Sequence, residues 1–159
     1  MSSKILEIFD AFEAMQVQIG SDIISCHGLA NALNSYQTAH LPIRVITPIT
    51  RYSPGLFYSN DNWNSGLGSV VNQMNWTIVD VLLYEAIAQR SGPKASNRQL
   101  VEYIKDYTDK LANGQLLLPD NCWVESVIVK PDIVEYPFGS NNFYYGAVTI
   151  AQVKEKVPQ

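Results

Sequence analysis

The alternation of apolar and polar positions divides the chain into a few elements. Near the N-terminus Ile5, Ile8, Phe9, Phe12 and Met15 recur at spacings of three and four, with Glu7, Asp10 and Glu13 lying away from that face. This spacing predicts an amphipathic helix starting near Lys4, capped by Ser2 or Ser3 and stopped at Gly20. Ile23, Leu29, Ala30 and Leu33 repeat the pattern more weakly and predict a second, shorter helix from Asp22 to Tyr36, interrupted by Gly28. Leu41 to Thr47 is a short apolar run between Pro42 and Pro48 and reads as a strand.

Val70 to Leu83 is the clearest strand. Thr77, Val79, Val81 and Leu83 alternate with Trp76, Ile78, Asp80 and Leu82. Both sets are largely apolar, which predicts a central strand covered on both faces, with Asp80 as the exception. After a turn at Gly92-Pro93, Leu100, Ile104, Tyr107 and Leu111 predict a helix from Arg98 to Ala112, capped by Ser96 or Asn97 and ended by Asn113-Gly114. The last third reads as a hairpin. Trp123–Tyr136 and Phe143–Val153 alternate with period two, and Gly139-Ser140-Asn141-Asn142 joins them. Consecutive strands without helices between them predict an α+β fold: a mixed, mostly antiparallel sheet with helices packed on one face and a C-terminal β-hairpin. A length of 159 residues fits a single domain spanning 1–159.

Residues 52–69 fit no regular element. Pro, Gly, Ser and Asn are mixed there with Tyr52, Leu56, Phe57, Tyr58 and Trp63. Connections of that length in compact domains are usually functional or disordered, and aromatic side chains seek burial. Tyr52, Leu56, Phe57, Tyr58 and Trp63 are therefore the candidate subunit or partner interface.

Composition sharpens this picture. The chain is 47% hydrophobic and only 16% charged, against about 25% charged in ordinary domains. This excludes extensive disorder and suggests that other protein covers part of the surface. A net charge of −4 argues against attraction to phosphate as a mode of binding. No run of 18 apolar residues occurs, and the N-terminal stretch carries acids where a signal peptide would be apolar, so neither a membrane span nor a leader is expected. Cys26 and Cys122 read as buried thiols of a reducing compartment. Lys94, Arg98, Lys105 and Lys110 read as a solvated helix face.

Candidate chemistry is sparse. His27 and His40 are the two histidines, and neither combines with Cys26 or Cys122 at zinc-ligand spacing. Phosphate-cradling glycine motifs and a nucleophile elbow are absent. No catalytic residue, cofactor or metal is expected. Asp80 is the one acid inside an apolar strand; a buried carboxylate can mark a site, although the simpler expectation is that it caps a helix, pairs with Arg44 or Arg90, or lies at a sheet edge. The alternative of a different class is an enzymatic or small-molecule-binding domain in which Asp80, His27 or His40 and Tyr84 converge on an apolar pocket.

The segment Asn75-Trp76-Thr77-Ile78-Val79-Asp80-Val81-Leu82-Leu83, the helix containing Leu100-Val101-Glu102-Tyr103-Ile104-Lys105-Asp106-Tyr107, and the hairpin of Val124–Tyr136 with Phe143–Val153 follow one another in a telling order. That order resembles the phage tail terminator and tail-completion proteins of the virion neck–tail junction. The likeness spans Ile5 to Val153 and lies in element order and a few aromatics. It implies a homo-oligomeric ring, usually a hexamer, that caps the tail tube and joins it to the neck. The implied partners are further copies of the chain, the tail tube protein and a neck or connector protein. DNA would pass through the lumen without sequence-specific binding. The implied location is the virion, after synthesis in the host cytoplasm, with no membrane partner and no cofactor. Another neck connector or a baseplate subunit would fit the same features. A heterologous ring needs two different patches per subunit, for which the loop aromatics and the outer side of the first helix are the candidates.

Overall fold

A computed structural model describes residues 3–52, 58–61, 71–87 and 94–158. Its elements, in chain order, are helix α1 (Ile5–Ala14), strands β1 (Gln18–Ile19), β2 (Asp22–Ile23) and β3 (Ser25–His27), a 3-10 turn (Thr38–His40), strands β4 (Ile43–Ile46), β5 (Tyr58–Asp61) and β6 (Val71–Ala86), helix α2 (Lys94–Ala112), and strands β7 (Cys122–Glu135) and β8 (Phe143–Pro158). The main sheet has six strands in the order β3-β4-β6-β8-β7, with β5 also paired to β6. Among the described strands only the β3–β4 pair is parallel; the β4–β6, β5–β6, β6–β8 and β8–β7 pairs are antiparallel. β1 and β2 form a separate small hairpin. The fold is α+β with a mixed, mostly antiparallel sheet, as the alternation predicts.

The long antiparallel trio β6-β8-β7 is the frame. At about 3.4 Å per residue a 16-residue strand such as β6 spans on the order of 50 Å. β6 is sandwiched as its two apolar faces require. On one face Trp76, Ile78 and Leu82 meet the helices: Ile8, Phe9 and Phe12 of α1, and Leu100, Tyr103 and Tyr107 of α2. On the other face Val79, Val81 and Leu83 pack with Tyr36, Val45, Val134, Tyr136, Tyr144 and Val148. Both helices therefore lie on one face, and irregular chain from the 32–52 region covers the other.

That covering chain is where the predicted helix over 22–36 fails. Instead the backbone turns at Gly20, which has φ +62°, into the β1–β2 hairpin, then enters β3. Asn31 folds its side-chain oxygen onto the Gly28 N–H at 2.9 Å, a local turn that competes with helix. Ile23, Leu29, Ala30 and Leu33, the supposed inward set, are exposed, while Ile24 and Tyr36 are buried. Two smaller boundaries move as well. α1 ends at Ala14, with Met15 extended, so Gly20 is a hairpin residue and no helix stop. α2 begins at Lys94, inside which Ser96 and Asn97 cannot act as caps.

The start of α1 is held by a distant residue. Glu155 of β8 is 1% exposed; its Oε2 accepts from the Lys4 N–H at 2.9 Å and its Oε1 from the Trp76 indole at 3.1 Å. A carboxylate at a helix N-terminus satisfies an orphan donor and suits the helix dipole. Ser2 or Ser3 was the expected cap; Ser2 lies outside the described residues, Ser3 Oγ lies 3.5 Å from the Ile5 N–H, and Lys4 occupies the cap position without a side-chain bond of its own.

Candidate functional site

Asp80 sits in the middle of β6 on the helix-bearing face, opposite Ile46 of β4 and Thr149 of β8. Arg44, two residues before Ile46 on β4, projects to the same face. The two form a fully buried ion pair, 2.6 Å from Arg44 Nη2 to Asp80 Oδ2, with side chains 0% and 1% exposed. Arg44 Nε donates to the same oxygen at 3.1 Å, Nη1 donates to the Met15 carbonyl at 2.6 Å, and Nη2 donates to the Phe12 carbonyl at 3.0 Å. The Tyr107 hydroxyl donates to Asp80 Oδ2 at 2.7 Å. One guanidinium thus terminates α1, whose last carbonyls lack helical partners, and one carboxylate ties that helix end to α2 through the sheet.

Electrostatics fit a structural charge pair. Burial opposes the Arg44 charge, but Asp80, Tyr103, Tyr107 and Cys26 together outweigh it and hold its pKa well above the arginine range. Burial, reinforced by Asp80, pushes the Tyr103 and Tyr107 hydroxyls well above 10, so both stay protonated. Of the two expected partners of Asp80, Arg44 is the one found; Arg90 lies outside the described residues.

The histidines do not join this centre. Cys26 and His27 are adjacent in a strand, so they project to opposite faces. His27 faces the other core, with Nδ1 2.9 Å from the Tyr36 hydroxyl, and His40 stacks edge-on against the Tyr36 ring. Tyr84 packs at the edge of the α2 cluster. The convergence of Asp80 with His27 or His40 is thereby corrected: the sheet separates them.

A cavity of about 520 Å³ opens beside Arg44, between the end of α1 and β2–β3, with Asp10, Glu13, Met15 and Cys26 among its lining residues. Burial pushes the Cys26 thiol from 9.0 to about 12, with Asp80 adding and Arg44 opposing. The thiol is therefore a poor nucleophile at neutral pH. Its linkage is alkaline. An unfolded thiol ionises near its ordinary pKa while the folded one stays protonated, so the stabilisation is complete below about pH 9 and is lost as pH rises towards 12. Urea midpoints are expected to decline from pH 9 upward, with Cys26→Ala showing a shallower decline; an identical slope in both proteins would contradict this.

The predicted interface aromatics divide. Leu56, Phe57 and Trp63 lie outside the described residues. Tyr52 is half-buried against the second core and its hydroxyl donates to Asp132 Oδ2 of β7 at 3.1 Å. Tyr58 on β5 is 42% exposed and its ring stacks on Trp76 at 4.8 Å between centroids. Of the basic residues of α2, Arg98 and Lys105 are solvated as expected, in the pairs Arg98–Glu102 and Lys105–Asp109, whereas Lys110 is half-buried beside Asp106 and the Lys94 side chain lies outside the described residues.

Strand β7 is the surface that sequence reasoning passed over. It forms the edge of the sheet along 14 residues. Trp123, Val127, Ile128 and Ile133 expose between 36% and 57% of their surface, Ile128 most. Alternation identified this strand but not its place at the edge. Pro131, which cannot donate in a central ladder, was the available signal.

Among the described residues no group of three or more His, Cys, Asp or Glu is arranged to hold a metal, and no helix is long and apolar enough to cross a membrane. Comparison with known protein families finds no match to the chain, and comparison with curated proteins finds none.

Proposed function

We propose that this chain is a structural virion protein, a tail terminator whose copies close a ring at the end of the tail tube, next to the neck. The virion assignment is supported by the resemblance in element order. The assembly role is supported by one observation above all, the edge strand β7. Natural sheets blunt long edges with charge, proline or short strands, because an open edge templates pairing with another chain. β7 has Pro131, Lys130 and Glu125, yet it also presents Trp123, Val127, Ile128 and Ile133. A solvent-facing edge of that length with four exposed large apolar residues suits burial against a neighbour. The opposite edge is unlike it: β3 has three residues and runs parallel to β4. Two unlike edges are what a heterologous, ring-closing contact uses.

Function in this reading lies in surfaces. Copies of the chain, the tail tube protein and the neck or connector protein are the partners, and DNA passes through the lumen without sequence-specific contacts. The test is Ile128→Asp combined with Ile133→Asp. Both side chains are exposed, so the fold should survive, and sedimentation should show loss of the assembled form. A double variant that assembles like the parent would remove β7 from the interface.

A further inference from the structure

On the helix-bearing face of the sheet three buried polar atoms have no close hydrogen-bond partner among the described residues: Asp80 Oδ1, Thr149 Oγ1 and Tyr103 Oη, the last of them beside the Arg44 side chain. They belong to one cluster. Asp80 and Thr149 are directly opposed in the β6–β8 ladder, so their side chains share a face and their Cβ atoms lie about 4.5–5.5 Å apart. Tyr103 stands one helical turn before Tyr107, with ring centroids 5.8 Å apart, and Tyr107 already bonds the other oxygen of the same carboxylate. Asp80 is 1%, Tyr103 0% and Thr149 1% exposed. Orphaned buried polar atoms are rare in folded proteins, and ordered water is a common partner for them.

The chemistry of the three atoms selects that ligand. A carboxylate oxygen only accepts, and each hydroxyl both donates and accepts. Arg44 already balances the Asp80 charge, so a cation would bring an uncompensated buried charge. The neighbouring Leu82, Leu100 and Ala147 are apolar and supply no counter-ion for a charged guest. We infer that one water molecule is bound among Asp80 Oδ1, Tyr103 Oη and Thr149 Oγ1 as a built part of the fold. It donates to the carboxylate and uses its remaining bonds on the two hydroxyls. It thereby links β6, β8 and α2 at the point where Arg44 already fixes α1. This water site stands apart from the assembly reading and survives its failure.

A crystal structure of the purified chain, at a resolution that orders internal waters, tests the site directly. The expected result is one peak within hydrogen-bond distance of Asp80 Oδ1 and of at least one of the two hydroxyls. In solution, water relaxation dispersion should count one fewer long-lived internal water in Thr149→Val or in Tyr103→Phe than in the parent. Three outcomes would overturn the inference: a hydroxyl bonded directly to Asp80 Oδ1 with no peak between them, a peak at metal-ligand distances, or an unchanged count in both variants. The crystal measurement uses the unmodified protein, so a variant that fails to fold leaves the test intact.

Discussion

Arg44→Ala is expected to destabilise the protein by about 3–5 kcal/mol, the range for breaking one side of a buried ion pair. Three consequences act together. The Asp80 carboxylate is left charged and buried with the Tyr107 hydroxyl as its remaining described donor to Oδ2. The carbonyls of Phe12 and Met15 at the end of α1 lose their donors. A cavity replaces the largest of the fully buried side chains. Chemical unfolding followed by circular dichroism measures the loss. A double-mutant cycle with Asp80→Ala should return a coupling of about 1–3 kcal/mol, since each partner is harmful chiefly in the absence of the other. A small loss for Arg44→Ala, or a coupling near zero, would mean the pair does not organise this core.

Gly146→Ala is the second large effect. Gly146 is buried in β8, opposite Leu83 and beside the irregularity between Leu83 and Glu85. A Cβ there would fall onto the Leu82 carbonyl oxygen of the neighbouring strand and close to its carbonyl carbon. The obstacle is backbone, so no side-chain rotation relieves it. The ladder between β6 and β8 must open locally, and the loss should reach about 3 kcal/mol or more, the upper part of the range for overpacking. The exposed control Ser126→Ala on β7 should stay within about 0.5 kcal/mol of the parent. A Gly146→Ala protein as stable as the control would show that the two strands can separate there freely.

Most of the frame was legible because its hydrophobic periods are unambiguous. Ile8, Phe9 and Phe12 are buried on α1 as their spacing required, and the two apolar sets of β6 divide between two cores as alternation required. The C-terminal hairpin appeared with the expected turn, β7 shifted by one residue and β8 running on to Pro158. The stretch over 22–36 was misread for a physical reason. Four apolar residues at near-helical spacing mimic an amphipathic face, but Gly20 and Gly28 with Asn31 favour tight turns, and the buried partners turned out to be Ile24 and Tyr36. Tertiary contact decided the matter, because the face of β6 carrying Val79 and Val81 needed a cover and the chain there supplied one without helix.

The candidate site was legible in part. Pairing of Asp80 with Arg44 was one of several structural readings the sequence left open, beside Arg90, a helix cap and a sheet edge, and the fold selects it. The contributions of Tyr107, Phe12 and Met15 were not among those readings, because their approach depends on how two helices cross one sheet. The β7 edge was hidden for the same reason: strand order is a property of the fold, and residues 122–135 alternate much like a strand with a neighbour on either side. Of the loop aromatics, Tyr52 and Tyr58 are described, and both pack against this chain's own residues. The weight of the assembly proposal therefore falls on β7.

The native mass of the purified chain, with negative-stain images of the same sample alone and with tail tubes added, tests the central claim most directly. The account predicts a ring whose mass is a multiple of 17.8 kDa, or one that forms when tubes are supplied. A compact monomer of 17.8 kDa that ignores tail tubes would contradict it.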